Sequence, residues 1–233
     1  MRRSFVALIV GIIAASTATA ALGAPAADAA AAKAGVLRLQ DFPSGWAPKP
    51  GSGGASSTES KLITKIPSCK QFLPLLANGK TGTKAASPSG FTDGVTIVSN
   101  AVHVYPTVKG ALKPFTAFQG SALSACFQRL LKADLEANLA SSGHASQVQN
   151  VAVAVQPVTP ALDVGGDGQA GFSATVTATA SGVQQSVYFE DVIVRVGRAL
   201  DTFSYENDSS PVSDTEASAV AASVSRLQTA LGG

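Results

Sequence analysis

The chain has 233 residues, of which 45% are hydrophobic and only 14% charged, so it has enough apolar material for a buried core and is not a disordered polypeptide. Its 17 basic and 15 acidic residues give a formal charge of +2, and setting aside Arg2 and Arg3 at the start leaves 15 against 15. That balance excludes an electrostatic nucleic-acid binder, which needs clustered Lys and Arg against phosphate.

Arg2 and Arg3 make a positive start, Phe5 to Ala15 is a short apolar run, and two small-residue cleavage sites follow, Ala18-Thr19-Ala20 and Ala27-Asp28-Ala29. This pattern predicts a signal peptide over residues 1–29, and with it a secreted, extracytoplasmic protein. The apolar run falls short of the roughly 20 residues a membrane span needs, so no stable transmembrane segment is expected after cleavage. An uncleaved anchor is the other reading. No Cys lies near the cleavage sites, which excludes a lipoprotein anchor. The Ala-rich stretch Ala24 to Gly35 has no amphipathic period and is expected to carry little order, with residues 30–35 as a leader and the folded domain over residues 36–233.

Val36-Leu37-Arg38-Leu39 opens that domain. In the turn segment Asp41-Phe42-Pro43-Ser44-Gly45-Trp46, Phe42 and Trp46 are the natural anchors into a core. Lys49 to Ser60 and Asn78 to Gly90 read as loops. Between them Cys69 follows Pro67, ahead of the apolar piece Phe72 to Leu76. Gly94 to Tyr105 has the β-branched content of a strand. Ala111 to Phe118 is a marginal helix because Pro114 sits inside it. Ser121 to Leu139 is a better one, with Leu123, Phe127, Leu130, Leu131 and Leu135 recurring at three- and four-residue steps.

Cys126 lies on that helix. Cys69 and Cys126 are the only cysteines, and in an exported chain a disulfide between helix and loop is expected; two buried thiols are the alternative. With two His in the whole chain and no CxxC spacing, neither a metal site nor a cofactor is expected.

Gln147 to Val158 reads as a strand, with Val151, Val153 and Val155 alternating. Gly171 to Asn207 reads as three antiparallel strands joined by turns at Ser181-Gly182 and Gly197-Arg198, where glycine supplies the positive φ of a type II′ turn. Two-residue loops set Val183 against Ala180 and Val196 against Ala199, and counting outward gives two faces. One carries Phe172, Ala174, Val176, Ala178, Val187, Phe189, Ile193 and Leu200, with Asp191 and Arg195. The other carries Thr175, Thr177, Thr179, Tyr188, Glu190, Val192, Val194, Phe203 and Tyr205, with Glu190 opposite Tyr205 and Val192 opposite Phe203. Ser213-Asp214-Thr215-Glu216 is a capping box, and Val220, Val224, Leu227 and Leu231 form one stripe of a final helix. The sum is an α+β fold: a single domain with an antiparallel β-sheet, helices packed against it and one disulfide.

Asp41 to Trp46, a Phe-rich helix bearing one Cys, the strand Val192-Ile193-Val194-Arg195-Val196-Gly197-Arg198 and a capped terminal helix occur in that order. In this the chain resembles secreted or membrane-tethered actinobacterial domains similar to the extracellular sensor domain of a mycobacterial Ser/Thr kinase. The resemblance covers residues 36–233. It implies an antiparallel sheet with helices against it and a cleft for a small-molecule or cell-envelope ligand. That sensor domain is held by more than one disulfide, whereas here only Cys69 and Cys126 are available, and no binding residue carries over.

A search for chemistry finds little. There is no Gly-x-Ser-x-Gly elbow, and His103 in a strand and His144 in a Ser/Gly loop have no marked partners. Asp163 to Gly168 lacks the Lys and following helix of a phosphate loop and the alternating oxygen ligands of a calcium loop, so it reads as a turn. Glu190 and Asp191, adjacent in a strand, point to opposite faces and cannot act together; each is expected to pair with a cation or to sit at a wet sheet end. The Asn207-Asp208-Ser209 sequon is read as idle. Tyr188, Glu190, Phe203 and Tyr205, beside a column of threonines, form the candidate ligand-binding cluster, against the alternative that a helix covers them as core. The expected function is a non-enzymatic extracytoplasmic ligand-binding or sensor-like domain. The alternatives are a secreted hydrolase with an unrecognised active site and a cell-envelope interaction protein using a sheet edge.

Overall fold

The computed structural model describes residues 26–49, 65–72, 83–86, 90–142, 148–158, 164–180, 182–208 and 214–232. Their elements are α1 (Ala26–Ala34), β1 (Ala47–Pro48), β2 (Thr83–Ala86), β3 (Phe91–Thr92), β4 (Thr96–Val104), α2 (Val108–Phe118), α3 (Ser121–Ser142), β5 (Val148–Val158), β6 (Gly168–Ala180), β7 (Val183–Val196), β8 (Ala199–Asn207) and α4 (Asp214–Ala230). Two 3₁₀ turns, Leu39–Asp41 and Pro67–Phe72, complete the list. The strands form one antiparallel sheet in the order β1-β3-β4-β8-β7-β6-β5, with β2 beside β3 along the outer edge of β4.

The meander β6–β7–β8 has the expected register. Ala180 pairs with Val183 and Val196 with Ala199, which fixes Glu190 opposite Tyr205 and Val192 opposite Phe203. The turn chemistry enforces this: Gly197 has φ 56°, the positive value a type II′ turn asks of its first central residue. Because side chains alternate, that register decides which face each residue serves.

The first face is the disulfide side. Phe172, Ile193, Leu200 and Ala170 on the sheet pack against Ala111, Phe115 and Phe118 of α2 and Leu123, Phe127 and Leu130 of α3. The rings of Phe127 and Phe172 meet at 4.2 Å. Cys69 and Cys126 are bonded, with Cα atoms 5.0 Å apart at a sequence separation of 57. Closing a loop of that length restricts the unfolded chain by roughly 4 kcal/mol in the entropy model. Pro114 does not break α2, which begins three residues earlier than expected. The Thr107 side chain caps it by accepting from Gly110 N at 3.1 Å, and its buried stripe Ala111, Phe115 and Phe118 holds it to the sheet.

On the second face, Val192, Val194, Val196, Phe203 and Tyr205, with Val98, Val102 and Val104 of β4, meet Ala31 and Ala32 of α1 and Val220, Val224 and Leu227 of α4. Phe42 stacks on Trp46 at 4.4 Å and touches Phe91 at 5.1 Å, so the two expected anchors seal one end of this core.

The Ala-rich stretch corrects an expectation. Residues Ala26–Ala34, read from sequence as carrying little order, form a helix whose Asp28, Ala31 and Ala32 are buried, so ordered structure is present ahead of Val36. Hydrophobic periodicity misses this because alanine packs by smallness rather than by bulk. Three polar clamps then hold the segment down. The Asp28 carboxylate accepts from Arg198 Nη1 at 2.9 Å and Nη2 at 2.5 Å, and Nη1 also donates to the Tyr105 carbonyl at 2.8 Å. Asn100 receives Leu37 N on its Oδ1 at 2.9 Å and donates from Nδ2 to the Gly35 carbonyl at 2.8 Å. Arg226 on α4 grips Asp41 with both terminal nitrogens, at 2.7 and 2.8 Å, and donates to the carbonyls of Ala34 and Val36.

Candidate functional site

The four residues expected to form a ligand-binding cluster divide at the border of the α4 footprint. Phe203 and Tyr205 are 3% and 6% exposed and belong to the second-face core. Tyr188 and Glu190, farther along β7, are half-buried. Beyond them no described helix packs on the second face of β5, β6 and β7, and the residues there are hydroxyl-bearing, amide-bearing or small. Ser173 lies opposite Glu190, Thr175 opposite Tyr188, Thr177 opposite Ser186 and Thr179 opposite Gln184. On the other side, Gln156, Ala154 and Ala152 of β5 face Ser173, Thr175 and Thr177 and are exposed. Alternate residues recur about every 7 Å along a strand, so the side chains form a regular grid. Each hydroxyl both donates and accepts, and Tyr188 adds an aromatic face. Burial raises the Glu190 carboxyl above its ordinary range. Such a surface offers hydrogen bonds in both senses to a polar, hydroxyl-rich ligand.

Three further carboxyls, Asp191, Asp201 and Glu206, are buried and raised by that burial, and sequence reasoning singled out only Asp191. Asp201 on β8 is fully buried under α4 and pushed up to about 8 by loss of water. Its hydrogen bonds agree with a protonated acid. Asn100 Nδ2 donates to Oδ1 at 2.8 Å, and Ser223 Oγ lies 2.7 Å from Oδ2 and in hydrogen-bond contact with the Gly35 carbonyl. One hydroxyl proton cannot serve two acceptors. With the proton on Asp201 Oδ2, the acid donates to Ser223 Oγ and Ser223 donates to Gly35.

Asp191, on the first face, accepts from Ser204 Oγ at 2.5 Å; burial pushes it up to about 7, offset by that hydrogen bond and aided by the nearby Glu190 charge. The expectation of a cation partner or a wet sheet end is therefore corrected: Asp191 is 4% exposed and its partner is a hydroxyl on the next strand. Glu206, also on the first face, lies between Phe189 of β7 and Ile97 of β4. It is 2% exposed, neither carboxyl oxygen has a hydrogen-bond partner among the described residues, and burial pushes it up to about 8, moderated by Lys49 and reinforced by Asp208.

The remaining candidates have structural surroundings. The His103 ring stacks on Tyr105 at 4.2 Å. His144, Asp163, Ser209 and Ser213 lie outside the described residues. Gly165 and Gly166 take positive φ in the turn before β6, and Asp167 at its end accepts from Arg195 Nη1 at 3.1 Å and from Gly197 N at 2.5 Å. Asn207 is buried, and its Nδ2 donates to Thr96 Oγ1 at 2.7 Å. Among the described residues no group of three or more His, Cys, Asp or Glu could hold a metal ion. No described helix is long and apolar enough to cross a membrane. A scan against protein-family models finds no match for this chain, and neither does a search of curated proteins.

Proposed function

We propose that the chain is a non-enzymatic, extracytoplasmic binding domain whose ligand lies on the half of the second face that no described helix covers. The observation that carries this reading is the division of that face. Helices α1 and α4 bury the half built from Val192, Val194 and Phe203, while the half built from Ser173, Thr175, Thr177, Ser186 and Tyr188 has no described helix on it and alternates hydroxyls with small side chains. A sheet face meant only for solvent usually carries charged residues, whereas this one offers hydroxyls, amides, one tyrosine and one carboxyl. A polyhydroxylated ligand of small-molecule or cell-envelope origin suits that inventory.

The buried disulfide is compatible with an oxidising compartment outside the cytoplasm. The sheet with helices on both faces is the architecture that a sensor-like domain of the resembled kind implies. The decisive experiment is native mass spectrometry of protein purified from its own host, beside a Thr175→Val, Thr177→Val, Tyr188→Ala variant. The reading expects a bound mass on the first that is missing from the second, with the same melting transition. A bound mass that survives the triple change would sink it.

A further inference from the structure

We propose that the mature protein begins at Ala21, released by cleavage after Ala18-Thr19-Ala20, and that α1 belongs to the working domain rather than to the leader. The inference rests on the export reading above and decides between the two cleavage sites that the sequence offers. In the step itself a peptidase adds one water across the Ala20–Ala21 amide, leaving a carboxylate on the leader and a free amine on Ala21.

Cutting instead after Ala27-Asp28-Ala29 would remove a working part of the fold. The Asp28 carboxylate is only 9% exposed and holds Arg198 through both terminal nitrogens, while the Arg198 side chain is 31% exposed. Removing Asp28 strands a guanidinium whose other contact is the Tyr105 carbonyl. It would also shorten a helix of nine residues to five and place a new ammonium directly before Ala31 and Ala32, which are 2% and 0% exposed. A helix that short has no stability of its own, and a charge beside a buried pair adds a desolvation cost. The upstream cut spares all of this, because it leaves the whole of α1, with Asp28, Ala31 and Ala32, on the exported chain. It also lies closer to the apolar run that a peptidase at the membrane must see first, which ends at Ala15.

The test is to express the full chain, leader included, in a bacterial host and to measure the intact mass of the product outside the cytoplasm. The proposal expects a chain starting at Ala21. An exported chain starting at Ala30 overturns the cut alone. A chain kept whole inside the cell overturns the export reading and the cut together. Independently of export, Asp28→Ala in the full chain replaces a capping-type residue with a good helix former, so any loss reports the Arg198 clamp. A fall of about 2–6 °C in melting temperature is expected. An unchanged melting temperature overturns the assignment of α1 to the domain.

Discussion

Asp201 and Glu206 stand five residues apart on β8, are both almost sealed from water, and are both pushed up to about 8 by that burial. On the second face, Asp201 has a partner for each oxygen, in Asn100 and Ser223, and through them reaches the Gly35 carbonyl. On the first face, Glu206 has none among the described residues. The same cause therefore has opposite structural value. A satisfied buried acid ties four chain segments into one arrangement, whereas an orphaned one costs stability and specifies nothing. The two faces also differ in their fasteners. Both bury apolar cores, but the first adds a covalent staple between α3 and the Cys69 turn, and the second adds hydrogen-bond networks beneath α1 and α4.

The sharpest way to break the comparison is to remove the staple. Replacing Cys69 and Cys126 together by Ala should lower the unfolding free energy by roughly 4 kcal/mol, read as a shift in the urea midpoint. A smaller shift than that for Ser223→Ala would show that the first face does not depend on its disulfide. Ser223→Ala itself should cost about 2–3 kcal/mol, because it leaves the Gly35 carbonyl and Asp201 short of partners in a dry site.

The pH dependence follows from three raised carboxyls, Asp191, Asp201 and Glu206, whose folded values of about 7, 8 and 8 exceed their ordinary ones. Between about pH 4 and pH 8 the folded state therefore holds more protons than the unfolded state. Stability falls as pH rises through that window, because deprotonating these buried acids is harder in the folded state than in the unfolded one. Melting scans from pH 5 to pH 9 should show a steady decline. A flat profile would mean that these acids are wetter than their burial indicates.

Within that profile the two β8 acids separate. Glu206→Leu should raise stability at pH 9 by about 1–2 kcal/mol, since it removes an unpaired acid without stranding a partner. Asp201→Asn should have the smallest effect at pH 6, because the amide donates to Ser223 as the protonated acid does; it should also flatten the decline above pH 7. If both substitutions destabilise equally at pH 9, the contrast between the two acids is gone.

Much of the frame was legible in the residues. Two glycine-containing turns fix the β6–β7–β8 register, so the pairing of Glu190 with Tyr205 follows by counting, and apolar residues at helical steps, Leu and Phe in α3 and Val and Leu in α4, mark the buried stripes. The polar interior was not legible. Gly35, Asn100, Asp201 and Ser223 meet only after four segments have folded together, with Gly35 and Ser223 188 residues apart. No local pattern announces such a meeting. The α1 helix was missed for a related reason, since its contacts are made by two alanines and one aspartate. The candidate cluster was half legible. Alternation correctly placed Tyr188, Glu190, Phe203 and Tyr205 on one face, but it carries no information about where along that face a helix stops.

The outer strand β5 has one more consequence. It closes the sheet on its side, yet it is irregular at both ends: Asn150 takes a left-handed φ of 53° at a shift in register, and Pro157 has no amide hydrogen to offer. Between them, Gln128 of α3 reaches across to the Val153 carbonyl at 2.8 Å. A second molecule approaching alongside would find only a short uninterrupted run to zip onto, so this edge is a poor template for open-ended strand stacking.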